Sequence, residues 1–181
     1  MFSSPEKNLK YLNLRENDIV VDLGAGVGFY ALAAARMVPK GKVYAIEVQR
    51  DLLTSLKNKA KDFYLHNIET IVGDIEKDYG TKLADNLADV VIVSNVFFQI
   101  KAKSKFIKEI KRILKINGQV LFIDWSDNSF LVGSSTVASS PDIENFLNKN
   151  TVKEIFEKNN FLFERFVDAG LHHYGMILRK I

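Results

Sequence analysis

Apolar positions along this chain alternate between two periods. Residues 19–21, Ile-Val-Val, form a short run rich in β-branched side chains, as a strand buried on both faces does. After three closely spaced glycines, residues 29–35 (FYALAAA) are dominated by good helix formers, and the helix is expected to run to Met37 or Val38 before Pro39 and Gly41 stop it. Residues 42–47 (KVYAIE) read as a second strand. Residues 49–64 place Leu52, Leu53, Leu56, Ala60 and Phe63 at helical spacing. His66-Asn67 marks a turn, and residues 68–73 a third strand. Residues 88–94 (ADVVIVS) are apolar on both faces and predict a central fourth strand. Residues 102–114 put Phe106, Ile107, Ile110, Ile113 and Leu114 on one side of a helix. Asn117-Gly118 then turns the chain into a fifth strand over 119–125. Upstream of all this, residues 8–14 predict a short helix with Leu9, Tyr11 and Leu12 available for packing.

The ending breaks the alternation. Thr151 and Glu154 have the spacing of a capping box for a helix to Asn159. Residues 161–167 and 173–179 read as two strands joined by only Asp168-Ala169-Gly170-Leu171-His172. That link is too short for a crossover helix, so this pair must be antiparallel. Strands and helices alternate before it, which implies right-handed crossovers. The expected fold is α/β: a doubly wound, mostly parallel seven-stranded sheet with its last strand antiparallel, in one domain spanning residues 1–181.

Composition narrows the classes. A chain of 181 residues with 47% hydrophobic and 26% charged residues is ordinary for one globular domain. The net charge of +3 comes from scattered lysines, which argues against a nucleic-acid partner. The absence of cysteine excludes disulfides, thiolate zinc sites and a cysteine nucleophile. No run is long enough to span a bilayer, and MFSSPEKNLK lacks the apolar core of a signal peptide, so no membrane partner and a cytoplasmic location are expected. Nothing in the pattern assigns an oligomeric state.

The chemistry concentrates in residues 18–30, DIVVDLGAGVGFY. Strand, tight glycine turn and helix follow one another, with Gly24, Gly26 and Gly28 on alternate positions. Glycine admits φ > 0 and lets a ligand lie against the main chain, and the first turn of the helix offers N–H groups to an anion. The spacing is not the dinucleotide pattern G-x-G-x-x-G, because Phe29 stands where its third glycine belongs. It is not a P-loop either, since no Gly-Lys-Ser/Thr follows. D-L-G-A-G-V-G resembles the first motif of class I S-adenosylmethionine (SAM) dependent methyltransferases, and the order of elements resembles that family over nearly the whole chain.

That resemblance implies SAM as cofactor and a set of contacts. Asp22 would accept from the ammonium of the methionine part, and the loop Gly24, Ala25, Gly26, Gly28 and Phe29 would carry the cofactor. Glu47, ending the second strand, would accept from the ribose hydroxyls, with Val48 beside it. Asp74 would meet the adenine amino group with Ile75 against the ring. Ser94 and Asn95 would close the site at the fourth strand. Methyltransferases acting on base or glutamine amino groups carry an Asn/Asp-Pro-Pro-aromatic motif here, whereas this chain reads Asn95-Val96-Phe97-Phe98, without either proline. It is more similar to the small-molecule (type 11) group related to the ubiquinone and menaquinone C-methyltransferases, as is the turn Leu114-Lys115-Ile116-Asn117-Gly118-Gln119 before the fifth strand.

The expected activity is methyl transfer from SAM to a small-molecule acceptor by in-line displacement. The leaving group is already activated, so alignment and exclusion of water suffice and no catalytic triad is required. No catalytic residue or general base is assigned. Ser126 to Pro141, with Gly133, Ser134, Ser135, Ser139 and Ser140, reads as a short substrate-facing loop. His172-His173 lacks a second cluster of ligands, so no metal is expected. Phe97 and Phe98 are candidates for an acceptor wall, although one of such an adjacent pair belongs in the core. Two other classes remain open: an NAD(P) oxidoreductase, and a SAM-binding domain without turnover.

Overall fold

In the computed structural model, residues 4–126 and 147–181 are described. The elements run α1 (Pro5–Leu9), β1 (Ile19–Leu23), α2 (Phe29–Met37), β2 (Lys42–Glu47), α3 (Arg50–Asp62), β3 (Ile68–Val72), β4 (Ala88–Ser94), a 3-10 turn (Phe97–Gln99), α4 (Lys103–Ile113), β5 (Leu114–Trp125), α5 (Lys149–Glu157), β6 (Phe161–Val167) and β7 (His173–Lys180). The seven strands make one sheet in the order β3-β2-β1-β4-β5-β7-β6. The first five strands pair in parallel in the order β3-β2-β1-β4-β5, and β7 lies antiparallel between β5 and β6. The topology expected from the short 168–172 connection is therefore the one observed.

Each face of the sheet buries its own core. Val21, Leu23, Val91, Val93, Val120 and Phe122 point to the side covered by α4 and α5. Val20, Val90, Ile92, Leu121 and Ile123 point to the side covered by α1, α2 and α3. Alternate residues of β1, β4 and β5 thus serve both layers, which is why their central stretches are apolar on both faces.

Three local expectations are corrected. The first helix covers Pro5–Leu9 rather than 8–14, because Ser4 caps it through Lys7 N and Pro5 occupies its first turn. Helix α5 is capped by Asn148, which accepts from Asn150 N and Thr151 N at 3.0 Å each, so it starts earlier than a Thr151 cap would allow. The Asn117 turn exists, with φ 64°, but as an excursion within β5: Leu114 pairs with Ala88, and pairing with β4 resumes at Gln119 opposite Val90. The helix stops at Ile113 because Leu114 is needed as the first β5 residue.

A buried polar cluster secures the stretch between β3 and β4. Glu109 accepts from both the N–H and the hydroxyl of Thr81 and pairs with Arg112, which also reaches Leu83 O and Asp85. These partners hold the Glu109 carboxyl below its ordinary range against the opposing effect of burial.

Candidate functional site

The strands of an open parallel sheet present their carboxyl ends along one edge, where ligands bind near the reversal of strand order. Here β1 lies between β2 and β4, and the chain leaves it through the glycine loop. Gly24, Gly26 and Gly28 have φ of 69°, 54° and 89°, all in the region that favours glycine. A side chain at Gly24 would strike Val96, and one at Gly28 would strike Leu56. At Gly26 a Cβ would meet nothing within 4 Å. The loop is therefore packed tightly at both ends and open in the middle, the shape needed for a ligand to approach the backbone.

The cleft beside this loop is lined by Gly24, Ile46, Glu47, Val48, Gln49, Gly73, Asp74, Ile75, Glu76, Val96, Gln99 and Ile100. Among the expected residues, it brings together Gly24, Glu47, Val48, Asp74 and Ile75. Glu47 is only 8% exposed. Its Oε2 accepts from Gly26 N at 3.1 Å, and its Oε1 from Val48 N at 2.8 Å and Gln49 N at 3.0 Å. Strand end and glycine loop are thereby tied through one carboxylate. Ala25 supports the same loop: its N–H and that of Gly24 donate to Ile46 O. Asp74 turns its own loop by accepting from Glu76 N, and pairs with the exposed Lys77.

Other expected residues lie elsewhere. Asp22 is buried behind the loop, not on the cleft. The Ala31 N–H bonds its carboxylate, which serves the first turn of α2 where the N-cap Gly28 has no side chain to do so. Its Oδ2 is buried with no hydrogen-bond partner among the described residues. Burial pushes this carboxyl up to about 7, against the Ala31 bond and with help from the nearby charge of Glu47. Phe29 is 68% exposed, with Lys59 over its ring, so it stands outside the cleft. Ser94 is half-buried at the end of β4. Asn95 is exposed, with φ 55° and its N–H donated to Ile123 O. Apart from Ser126, the expected serine-rich loop falls outside the described residues.

The sequence reading did not assign Gln49, Gly73, Glu76, Gln99 or Ile100 to the cofactor. Only Gly73, adjoining Asp74, carried a local signal. The others reach the cleft because β3, β2 and β4 end along the same edge of the sheet as β1, in the order β3-β2-β1-β4. Asp124 was also missed. It is 3% exposed at the end of β5 and accepts from Phe98 N at 3.0 Å and Trp125 N at 2.9 Å. Burial pushes it up to about 7 despite those bonds and the charge of Lys103.

The cleft lining holds three carboxylates, Glu47, Asp74 and Glu76, and no Lys or Arg. A dinucleotide brings two phosphates and would meet like charge. SAM carries a sulfonium, an ammonium and one carboxylate, a net positive ligand that suits this lining. Together with the open cradle at Gly26, the residues present fit SAM. Among the described residues no group of three or more His, Asp or Glu side chains could hold a metal, and no helix is long and apolar enough to cross a membrane.

Sheet order, glycine turn and acidic cleft define the class: this is the Rossmann-like fold of the SAM-dependent methyltransferases. The chain belongs to the methyltransferase domain family, whose profile matches residues 14–162. A protein-L-isoaspartate O-methyltransferase of Thermosipho melanesiensis is 30% identical over 61% of this chain and 63% of its own length. A demethylmenaquinone methyltransferase of a Geobacillus species is 24% identical over 70% of this chain and 53% of its own. The chain thus spans less than two thirds of these curated relatives. The crystal structure of a SAM-dependent methyltransferase from Aquifex aeolicus superposes with a TM-score of 0.84 at 29% identity, covering 99% of this chain and 91% of that one. SAM is accordingly the cofactor of the domain.

The buried titratable groups set a pH dependence. Asp22 and Asp124 have folded pKa values of about 7 against 3.8 for the free side chain. Each contributes stability that is complete below about pH 4 and is lost as pH rises through 7. His173, lowered to about 4 by burial, acts oppositely: its contribution is present above pH 6.5 and is lost as pH falls through 4. Two carboxylates outweigh one imidazole, so conformational stability should decline from about pH 5 to about pH 8. Urea melts across that range check this, and Asp124→Asn should flatten the decline. A stability that rises over the same range would contradict the assignment.

Proposed function

We propose that this protein transfers a methyl group from SAM to a small-molecule acceptor by in-line displacement. The acidic, cation-free lining of the cleft beside the open Gly26 cradle carries the reading, because it suits a positively charged cofactor and disfavours NAD(P). When bound, SAM supplies an activated methyl group on a sulfonium centre. The chain's own residues then have to bind, orient and exclude water. Glu47 takes the ribose side, with Gly26 and Ala25 against the cofactor backbone. Asp74 and Ile75, with Val48 opposite, take the adenine end. Ser94 and Asn95 stand at the methionine end. Asp22 supports the loop and the α2 start from behind, a positioning role rather than a direct contact with the ammonium.

The acceptor reading rests on Phe98, half-buried next in sequence to the cleft residues Gln99 and Ile100, and on the scattered distribution of the lysines. A small, partly apolar metabolite methylated on carbon, oxygen or nitrogen fits such a wall. The finer features of the proposal are a cytoplasmic setting and a single domain. The two relatives described above differ in the acceptor that their names state, one protein L-isoaspartate and one demethylmenaquinone, so the acceptor has to be found by turnover. Formation of S-adenosylhomocysteine over a panel of metabolites, with an isoaspartyl peptide, RNA and DNA alongside, tests it. Turnover with a small acceptor is expected. Methylation of the peptide or a nucleic acid alone would overturn the acceptor class. SAM binding without turnover on any acceptor would favour a binding domain.

A further inference from the structure

The loop after β3 and the segment leading into α4 both line the cleft, and one side chain ties them together. Glu76 Oε2 accepts from Lys101 N at 2.8 Å and from Ala102 N at 2.9 Å. Ala102 is the N-cap of α4, so this carboxylate from the other wall holds the N–H groups of the N-cap and of the residue before it, at the entry to that helix. On the Glu76 side the cleft presents Asp74 and Ile75; on the α4 side it presents Gln99 and Ile100. The backbone of Glu76 is itself fixed, its N–H donated to Asp74 Oδ1 at 3.1 Å. The far end of the second wall is pinned separately, by Asn95 N to Ile123 O and Phe98 N to Asp124 Oδ2, each at 3.0 Å. Glu76 therefore sets how close the near ends of the two walls stand.

We propose that Glu76 is a positioning residue for the cofactor, a clasp that fixes the spacing between Asp74-Ile75 and Gln99-Ile100 so that a planar base fits between them. The inference rests on the SAM reading above. With the clasp removed, Gln99 and Ile100 move independently of the β3 loop, and a base seated on Ile75 loses its facing wall. The contact needs an acceptor oxygen at the right reach. An amide oxygen at the same position keeps it; a side chain one methylene shorter does not.

Calorimetric titration of SAM and of 5′-methylthioadenosine, with thermal melts of the free proteins alongside, tests this. Glu76→Ala should weaken both ligands by about tenfold, while Glu76→Gln stays within about threefold of the parent. Glu76→Asp should show the loss seen with alanine, and it gives the same reading if the alanine variant does not fold. A lowered melting temperature with unchanged affinities would make Glu76 merely structural and overturn the proposal. So would a loss confined to SAM, which would place the effect at the methionine end. If the parent protein binds neither ligand, the cofactor reading falls and the clasp with it.

Discussion

Phe97→Ala is expected to cost about 3–5 kcal/mol of conformational stability, read as a lower urea midpoint. Phe97 is 1% exposed. Its ring lies 5.3 Å from that of Phe122 in an edge-on arrangement, 5.9 Å from Phe106 and 6.2 Å from Phe156. These three neighbours come from β5, α4 and α5, so truncation opens a cavity where three elements meet, and none can close it without losing other contacts. The 3-10 turn that carries Phe97 also carries Gln99, and Val96 and Ile100 flank it, all on the cleft. The aromatic core thus anchors one wall of the cleft. Phe98→Ala should behave differently. Its side chain is half-buried, and the position is held through its main-chain N–H, so stability should change by less than about 1.5 kcal/mol while acceptor turnover falls. Equal destabilisation by the two substitutions would remove the distinction between core anchor and acceptor wall.

Which of the two phenylalanines enters the core was not legible in the sequence, because a 3-10 turn has neither the strand period nor the helix period. The long-range order was legible where physics acts locally. The β1 run, the glycine spacing and the helix after it specify strand, turn and helix without help from the rest of the chain. The short 168–172 link excludes a crossover by length alone. Helix starts were less legible, because competing caps stood close by: Ser4-Pro5 and Asn148 both won over the expected starts by bonding free amides at the chain's actual entry angle. The candidate site divided the same way. Glu47, Asp74 and the glycines follow from being at strand ends. Glu76, Gln99 and Asp124 matter only because β3, β4 and β5 end along one edge of the sheet, with β2 and β1 between β3 and β4, and no local pattern records that. Asp22 was legible as part of the motif, but its surroundings were not. Its place in the motif suggested a ligand contact, but a carboxylate two residues before a tight turn can equally fold back to the helix that follows, and here it does.

Glu47→Ala is expected to weaken SAM by about thirtyfold, close to 2 kcal/mol. A charge-assisted hydrogen bond contributes roughly 1.5–3 kcal/mol when its partners are withdrawn from water, and Glu47 is nearly buried at the edge of an open cleft. Its carboxylate offers about four acceptor positions, of which three are already taken by the N–H groups of Gly26, Val48 and Gln49. One position therefore remains, on Oε2, for a ribose hydroxyl, and a second hydroxyl can be accepted only by displacing a backbone N–H. This limits the direct gain to about one strong bond. The rest of the loss comes through Gly26, whose N–H is released when the carboxylate goes, so that the cradle loses its tie to β2. Two variants separate these contributions. Glu47→Gln keeps an oxygen for Val48 and Gln49 but turns a donor toward Gly26 or the ribose, and should lose nearly as much as alanine. Glu47→Asp retains the charge at shorter reach and should fall between the parent and alanine. S-adenosylhomocysteine shares the ribose and lacks the sulfonium charge, so its affinity should drop by a similar factor if the hydroxyl bond dominates. It should drop by distinctly less if the charge of Glu47 acts mainly on the sulfonium. Unchanged affinity for both ligands in the alanine variant would remove Glu47 from the site.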